Sequence, residues 1–184
     1  MQLAASDITL PGGLRLALRT AGARSADAAG VGRTFLLVHG LASNARLWDA
    51  VATRLADAGH TAVSVDQRGH GLSAEPVDGY DTDTCADDLA DVVGTLGLER
   101  PIVAGQSWGG NVVLRLAARH PHSVGAVCCV DGGWLRPAAR WRTFDECWAV
   151  LEPPRMDTWR WDDIEHRVRD AMQGWPDDAA GAAL

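Results

Sequence analysis

The sequence predicts an α/β protein built on a predominantly parallel sheet, and three observations carry that prediction. The short runs 34–38, 61–65, 101–106 and 124–130 read as strands, and residues 34–38 form a continuous apolar run, as a parallel strand covered on both faces does. Segments with apolar residues at helical spacing separate them. The alternation of the two kinds implies parallel pairing through right-handed crossovers.

Each element follows in turn. Ile8-Thr9-Leu10 and residues 14–19 flank Pro11-Gly12-Gly13, which reads as a hairpin ahead of the alternation. Residues 21–33, rich in Ala and Gly, read as a flexible connection. After strand 34–38, Asn44 can cap a helix carrying Leu47, Trp48, Val51 and Leu55, stopped at Gly59. Strand 61–65 ends at Asp66. Beyond a Gly-rich loop, Thr84 opens a helix with Cys85, Leu89, Val92, Val93 and Leu96 inward. Asp87 and Asp88 are expected in its first turn, where the helix dipole favours anions. Strand 101–106, a helix over 108–119 closed by Pro121, and strand 124–130 complete the rhythm. From Trp134 it stops. Six tryptophans, from Trp134 to Trp175, punctuate a charged, helical-looking stretch containing Pro153-Pro154, and residues 177–184 have no apolar period.

Composition excludes several classes. With 47% hydrophobic and 22% charged residues over 184 positions, the chain is an ordinary globular domain rather than a disordered one. No apolar run approaches the ~18–20 residues of a membrane span. A net charge of −7 without a basic cluster argues against nucleic-acid and anionic-membrane partners. The N-terminus has neither the basic nor the apolar region of an export signal, so the expected compartment is the cytoplasm. Cys128 and Cys129 are adjacent on a strand, and Cys85 and Cys147 are isolated. Buried free thiols are expected. No His, Cys or carboxylate cluster has metal-ligand spacing, and no glycine loop is followed by Lys-Ser/Thr, so neither metal nor cofactor is expected.

The chemistry concentrates in three motifs. Gly105-Gln106-Ser107-Trp108-Gly109-Gly110 lies between a predicted strand and a predicted helix, the context of a nucleophile elbow. Side chains at 105 and 109 would collide with the neighbouring strand and helix. Ser107 would then project at a helix N-terminus, where the Trp108 N–H can donate to an oxyanion. Second, His39-Gly40-Leu41 ends an earlier strand at the edge where sites of open parallel sheets form. The Leu41 N–H there is a candidate second oxyanion donor. Third, the run Asp66-Gln67-Arg68-Gly69-His70-Gly71-Leu72-Ser73 follows the next strand. His39 and His70 belong to loop motifs and are read as shaping those loops rather than transferring protons. His60, His120 and His122 are read as surface residues.

In this order and spacing, the three motifs resemble the α/β-hydrolase fold family, particularly its cap-bearing, single-chain members, over roughly residues 8–133. The resemblance implies hydrolysis of an ester, thioester, lactone or amide through an acyl-enzyme on Ser107. Members that open epoxides or remove halogens use an aspartate nucleophile instead, and Leu41 lacks the side-chain donor that dehalogenases have there. The cofactorless haloperoxidase and acyltransferase branches share the elbow and stay open. Asp131 is a candidate acid; some members carry it at that strand and others one strand later.

The family's histidine base follows the last strand. Here only His166 follows Asp131, within 161–168, a stretch that reads as one face of a cap helix. The expectation is therefore a core over 1–133 and a partial cap over 134–184, with the chain stopping inside the cap and turnover impaired for want of the base. A non-catalytic binding or scaffold protein, or an inactive fragment of the same fold, is the alternative. The tryptophans of 134–161 serve cap packing or line a pocket for a small apolar acyl substrate. Strand 124–130 lacks a later strand over its edge, which predicts self-association.

Overall fold

The computed structural model describes residues 3–22, 32–134, 136–152, 159–171 and 173. Positions 23–31 of the connection, Pro153-Pro154, Trp175 and the 177–184 tail lie outside the described residues. The chain divides into two compact units, Met1–Trp134 and Leu135–Leu184.

The first unit is a six-stranded sheet with helices on both faces. β1 (Ala4–Thr9) and β2 (Arg15–Ala21) form the hairpin expected at Pro11-Gly12-Gly13, with Gly13 at φ 84° and the Leu10 N–H donating to the Leu14 carbonyl at 2.8 Å. β3 (Thr34–Val38) leads through a 3₁₀ turn, capped by the Asn44 side chain, into α1 (Asp49–Asp57). β4 (Thr61–Val65), α2 (Thr82–Thr95), β5 (Ile102–Gln106), α3 (Trp108–Arg119) and β6 (Ala126–Val130) follow. The spatial order is β1-β2-β4-β3-β5-β6, antiparallel across β1-β2-β4 and parallel from β4 to β6.

The register decides where chemistry can gather. Val38 pairs with both Val65 and Gly105, and Gly105 with Cys129, so the C-terminal ends of β3 to β6 finish level at one edge. Helices α2 and α3 cover one face: Leu89, Val92, Val112 and Leu116 pack on Leu36, Val63 and Val103, all buried. Trp48 and Ala52 cover the other over Leu37, Ala62 and Ala104.

Three expectations are corrected. α2 begins at Thr82, not Thr84, because the Asp81 carboxylate accepts the N–H groups of Asp83 and Thr84 and so supplies the cap one turn earlier. Asp87 and Asp88 consequently sit beyond the first turn, where they bind Arg119 and Arg68. Of the four cysteines only Cys85 is buried; Cys128 is exposed and Cys129 and Cys147 are half-buried. β6 ends the described sheet, so it has cover only partway round, whereas Cys85 faces the sheet, where burial pushes its thiol up to about 12. His60 and His120 are also half-buried. His60 packs on Phe35 and accepts the Arg33 N–H, and His120 Nε2 lies 2.7 Å from Asp87.

Arg68 ties the loop after β4 to α2 through two 2.6 Å bonds to the Asp88 carboxylate, with both side chains almost entirely out of solvent. Removing one partner of such a pair strands the other charge. Asp88→Ala is expected to lower stability by about 3 kcal/mol, read as a shifted urea midpoint at unchanged m-value.

The second unit holds α4 (Pro137–Arg140), α5 (Phe144–Leu151) and α6 (Trp161–Ala171). The Thr143 hydroxyl caps α5 by accepting the Glu146 N–H, and Phe144 stacks on Trp148 with centroids 5.8 Å apart. Among the described residues, no helix is long and apolar enough to cross a membrane.

Candidate active site

Ser107 joins β5 to α3 with φ 51° and ψ −122°, a left-handed backbone that non-glycine residues adopt at a cost of ~1–3 kcal/mol. Its neighbours enforce the turn. The Ser107 N–H donates to the Val130 carbonyl at 3.0 Å, and its own carbonyl accepts the Gly110 N–H at 2.9 Å. A Cβ on Gly105 would run into the Gly109 carbonyl, and one on Gly109 would lie 2.5 Å from the His39 carbonyl oxygen and 2.6 Å from that of Val38. These glycines therefore let α3 start directly against β3 and β5, as the sequence reading required. Trp108 is the first residue of α3, so its N–H has no acceptor within the helix.

The loop after β3 comes to the same place. A Cβ on Gly40 would stand 3.0 Å from the Ser107 Cβ and 2.7 Å from Gln106 Oε1, which puts the Gly40 backbone against the serine. Leu41 follows with an exposed side chain, and Ala42 turns the chain at φ 53°. Asp131 directly follows β6 at φ 49° and is exposed; the next residue, Gly132, has no room for a Cβ because the Ser107 backbone occupies that space.

His39 is fully buried and is a structural member of this loop. Its Nδ1 lies 2.7 Å from the Gly40 carbonyl, and its Nε2 accepts the Gln67 N–H at 3.1 Å. Burial holds its pKa down at about 4, and the nearby His70 adds to the depression. His70 in turn bonds the Arg68 carbonyl at 2.9 Å.

Sequence reasoning missed the other tethers. Gln67 Nε2 donates to the His39 carbonyl at 2.7 Å. Asp66 accepts the N–H groups of Ala45 at 2.6 Å and Leu72 at 2.9 Å. Ser73 joins β2 to the Asp66 carbonyl. The only signal was their place in the 66–73 motif; which loop they would hold depends on β3 and β4 being neighbours.

His166 belongs to the second unit. It sits on α6, exposed, with Nε2 3.4 Å from Asp170 one turn on. Among the described residues none hydrogen-bonds the Ser107 hydroxyl, and no group of three or more His, Cys, Asp or Glu could hold a metal ion. A cavity of about 510 Å³ opens between the β1–β2 hairpin and the loops carrying Asn44, Asp66 and Leu72, and Ser107 is not among its lining residues.

The arrangement matches known proteins at several levels. Residues 33–173 fit the family model described as the alpha/beta hydrolase fold. The 2-(acetamidomethylene)succinate hydrolase of Mesorhizobium japonicum is 38% identical over 102 residues, which cover 55% of this chain and 36% of the relative. The non-heme chloroperoxidase CPO-A1 of Kitasatospora aureofaciens is 38% identical over 91 residues, 50% of this chain and 33% of the relative. A solved E-2-(acetamidomethylene)succinate hydrolase superposes with a TM-score of 0.76 at 26% identity, covering 99% of this chain and 63% of that one. The matched segments thus span only about a third of these curated relatives' length. The motif order, the strand order and the family match agree on one conclusion: this chain belongs to the α/β-hydrolase fold family.

Proposed function

We propose that Ser107 is the nucleophile of a hydrolase that cleaves an ester, thioester, lactone or amide of a small, apolar acyl substrate. The observation that carries this reading is the strained backbone of Ser107 at the β5–α3 junction, with Gly40 packed against it. In the reaction Oγ bonds to the substrate carbonyl carbon while the carbonyl π pair moves to oxygen. That oxyanion accepts the N–H groups of Leu41 and Trp108, collapse expels the leaving group, and water then releases the acyl group from Ser107. Asp131, at the end of the strand beside β5, is the candidate to orient a base.

The proton leaving Oγ needs that base, and within the first unit His39, His70 and His120 are each engaged with groups other than the Ser107 hydroxyl. On this reading turnover without a base is impaired, at the ~10³–10⁴-fold acceleration over water that survives loss of a triad member. A second reading is a non-catalytic binding or scaffold protein of the same fold. Haloperoxidase and acyltransfer chemistry on the same elbow is a further variant, supported by the likeness to a protein named a chloroperoxidase. The second unit serves as part of a cap, the compartment is the cytoplasm, and the edge of β6 is open to self-association.

A fluorophosphonate probe applied to the folded chain, with the adduct located by peptide mass mapping, tests the central claim. The expected result is slow modification of Ser107 and none in Ser107→Ala. Rapid modification would mean that a base is supplied and that the impairment is wrong. No modification of a folded chain would leave the binding-protein reading.

A further inference from the structure

We propose that His39 is a positioning residue whose Nδ1–H aims the Leu41 N–H at the oxyanion site, and that Gln67 locks it in the tautomer able to do so. The inference rests on the reading of Leu41 as an oxyanion donor.

The hydrogen bonds determine the tautomer without ambiguity. The Gln67 backbone N–H can only donate, so His39 Nε2, 3.1 Å away, carries a lone pair. The Gly40 carbonyl can only accept, so His39 Nδ1, 2.7 Å away, carries the hydrogen. A second bond, from Gln67 Nε2 to the His39 carbonyl at 2.7 Å, ties the backbone of His39 to the same residue. The imidazole is fully buried, so these bonds do not compete with water.

The consequence for Leu41 follows from peptide geometry. Among the described residues there is no cis peptide, and in a trans unit the C=O and the next N–H point in opposite directions. Holding the Gly40 carbonyl on the imidazole therefore turns the Leu41 N–H away from the ring. Glycine at 40 has no side chain of its own to resist rotation of that peptide plane, and the imidazole supplies a hydrogen-bonded restraint beside the packing of Gly40 on Ser107 and Gln106. Ala42 at φ 53° then carries the chain onward, and Asp66 anchors it again at the Ala45 N–H, 2.6 Å. The 39–45 loop is thus clamped at both ends by the two residues that follow β4.

Two substitutions separate the halves of this device. In His39→Asn the Nδ2 group stands near the position of Nδ1 and can still donate to the Gly40 carbonyl. In His39→Gln the Oε1 atom can still accept the Gln67 N–H, but the donor to Gly40 is gone. Residual dipolar couplings report the direction of the Leu41 N–H in each protein. The expected result is a Leu41 coupling kept in H39N and displaced in H39Q, with couplings across β3, β4 and β5 unchanged in both. Couplings displaced equally in both variants, or in neither, would overturn the proposal. If a variant does not fold, the imidazole ¹⁵N shifts of the parent decide, because a hydrogen on Nε2 rather than Nδ1 refutes the lock. Fluorophosphonate labelling of Ser107 supplies the functional arm: H39Q should label ~10²-fold more slowly than the parent and H39N within about tenfold of it. A parent that does not label at all defeats the hydrolase reading, while the couplings still judge His39.

Discussion

Gly109→Ala is expected to lower stability by about 3 kcal/mol or more, a large effect for one methyl group. The added Cβ would meet the carbonyl oxygens of Val38 and His39 at 2.6 and 2.5 Å. Both belong to the backbone at the end of a central strand, so neither can swing aside as a side chain would. Relief requires α3 to move off β3, which opens contacts around the buried Val112, Val113 and Leu116. Gly94→Ala is the matched control. It lies near the end of α2 with nothing within 4 Å of the new methyl, and alanine should stabilise it by roughly 0.5–1 kcal/mol. Urea unfolding of the two variants checks the pair. Equal midpoints would mean that α3 is not held against β3 as described.

The second large effect is a loss of stability on mild acidification. Burial lowers the folded-state pKa of His39 from 6.5 to about 4, so between these values the unfolded chain binds the proton that the folded one refuses. Stability from this group is fully present above pH 6.5 and is lost as the pH falls to about 4. The magnitude is about 3 kcal/mol, carried by a single ring. Protonation would also set an N–H on Nε2 against the Gln67 N–H. Asp87 does not confuse the measurement. Its bonds to Arg119 and then His120 hold its pKa at about 2, so its contribution is present above the ordinary value of 3.8 and fades only below it. Urea midpoints measured from pH 7 to pH 4 should fall in the parent and be markedly flatter in His39→Asn. Parallel slopes in the two proteins would remove His39 as the cause.

The tight turn that forms the candidate site was legible in the sequence. Gly105, Ser107 and Gly109 sit within one short turn, and the requirement that binds them is local: a strand must reverse into a helix with no room for side chains. The mostly apolar runs likewise marked β3 to β6, and in β3, β4 and β5 they coincide with burial. The cysteines were harder. Cys128 lies in an apolar run like those of β3 and β5, yet it is exposed, because exposure depends on which strand stands at the end of the sheet, and chain order does not state that.

By itself, then, the sequence determined the class of the fold, the position of the elbow and the family, since each is written in residues a few positions apart. Only the tertiary structure decided how the loops are held. Asp66 and Gln67 lie more than twenty residues beyond the loop they clamp, and they reach it because β4 pairs with β3 in a register that levels Val38 with Val65. Hydrogen bonds between distant segments leave no periodic mark on either one. Their existence depends on strand order and register, which the packing of the whole sheet sets.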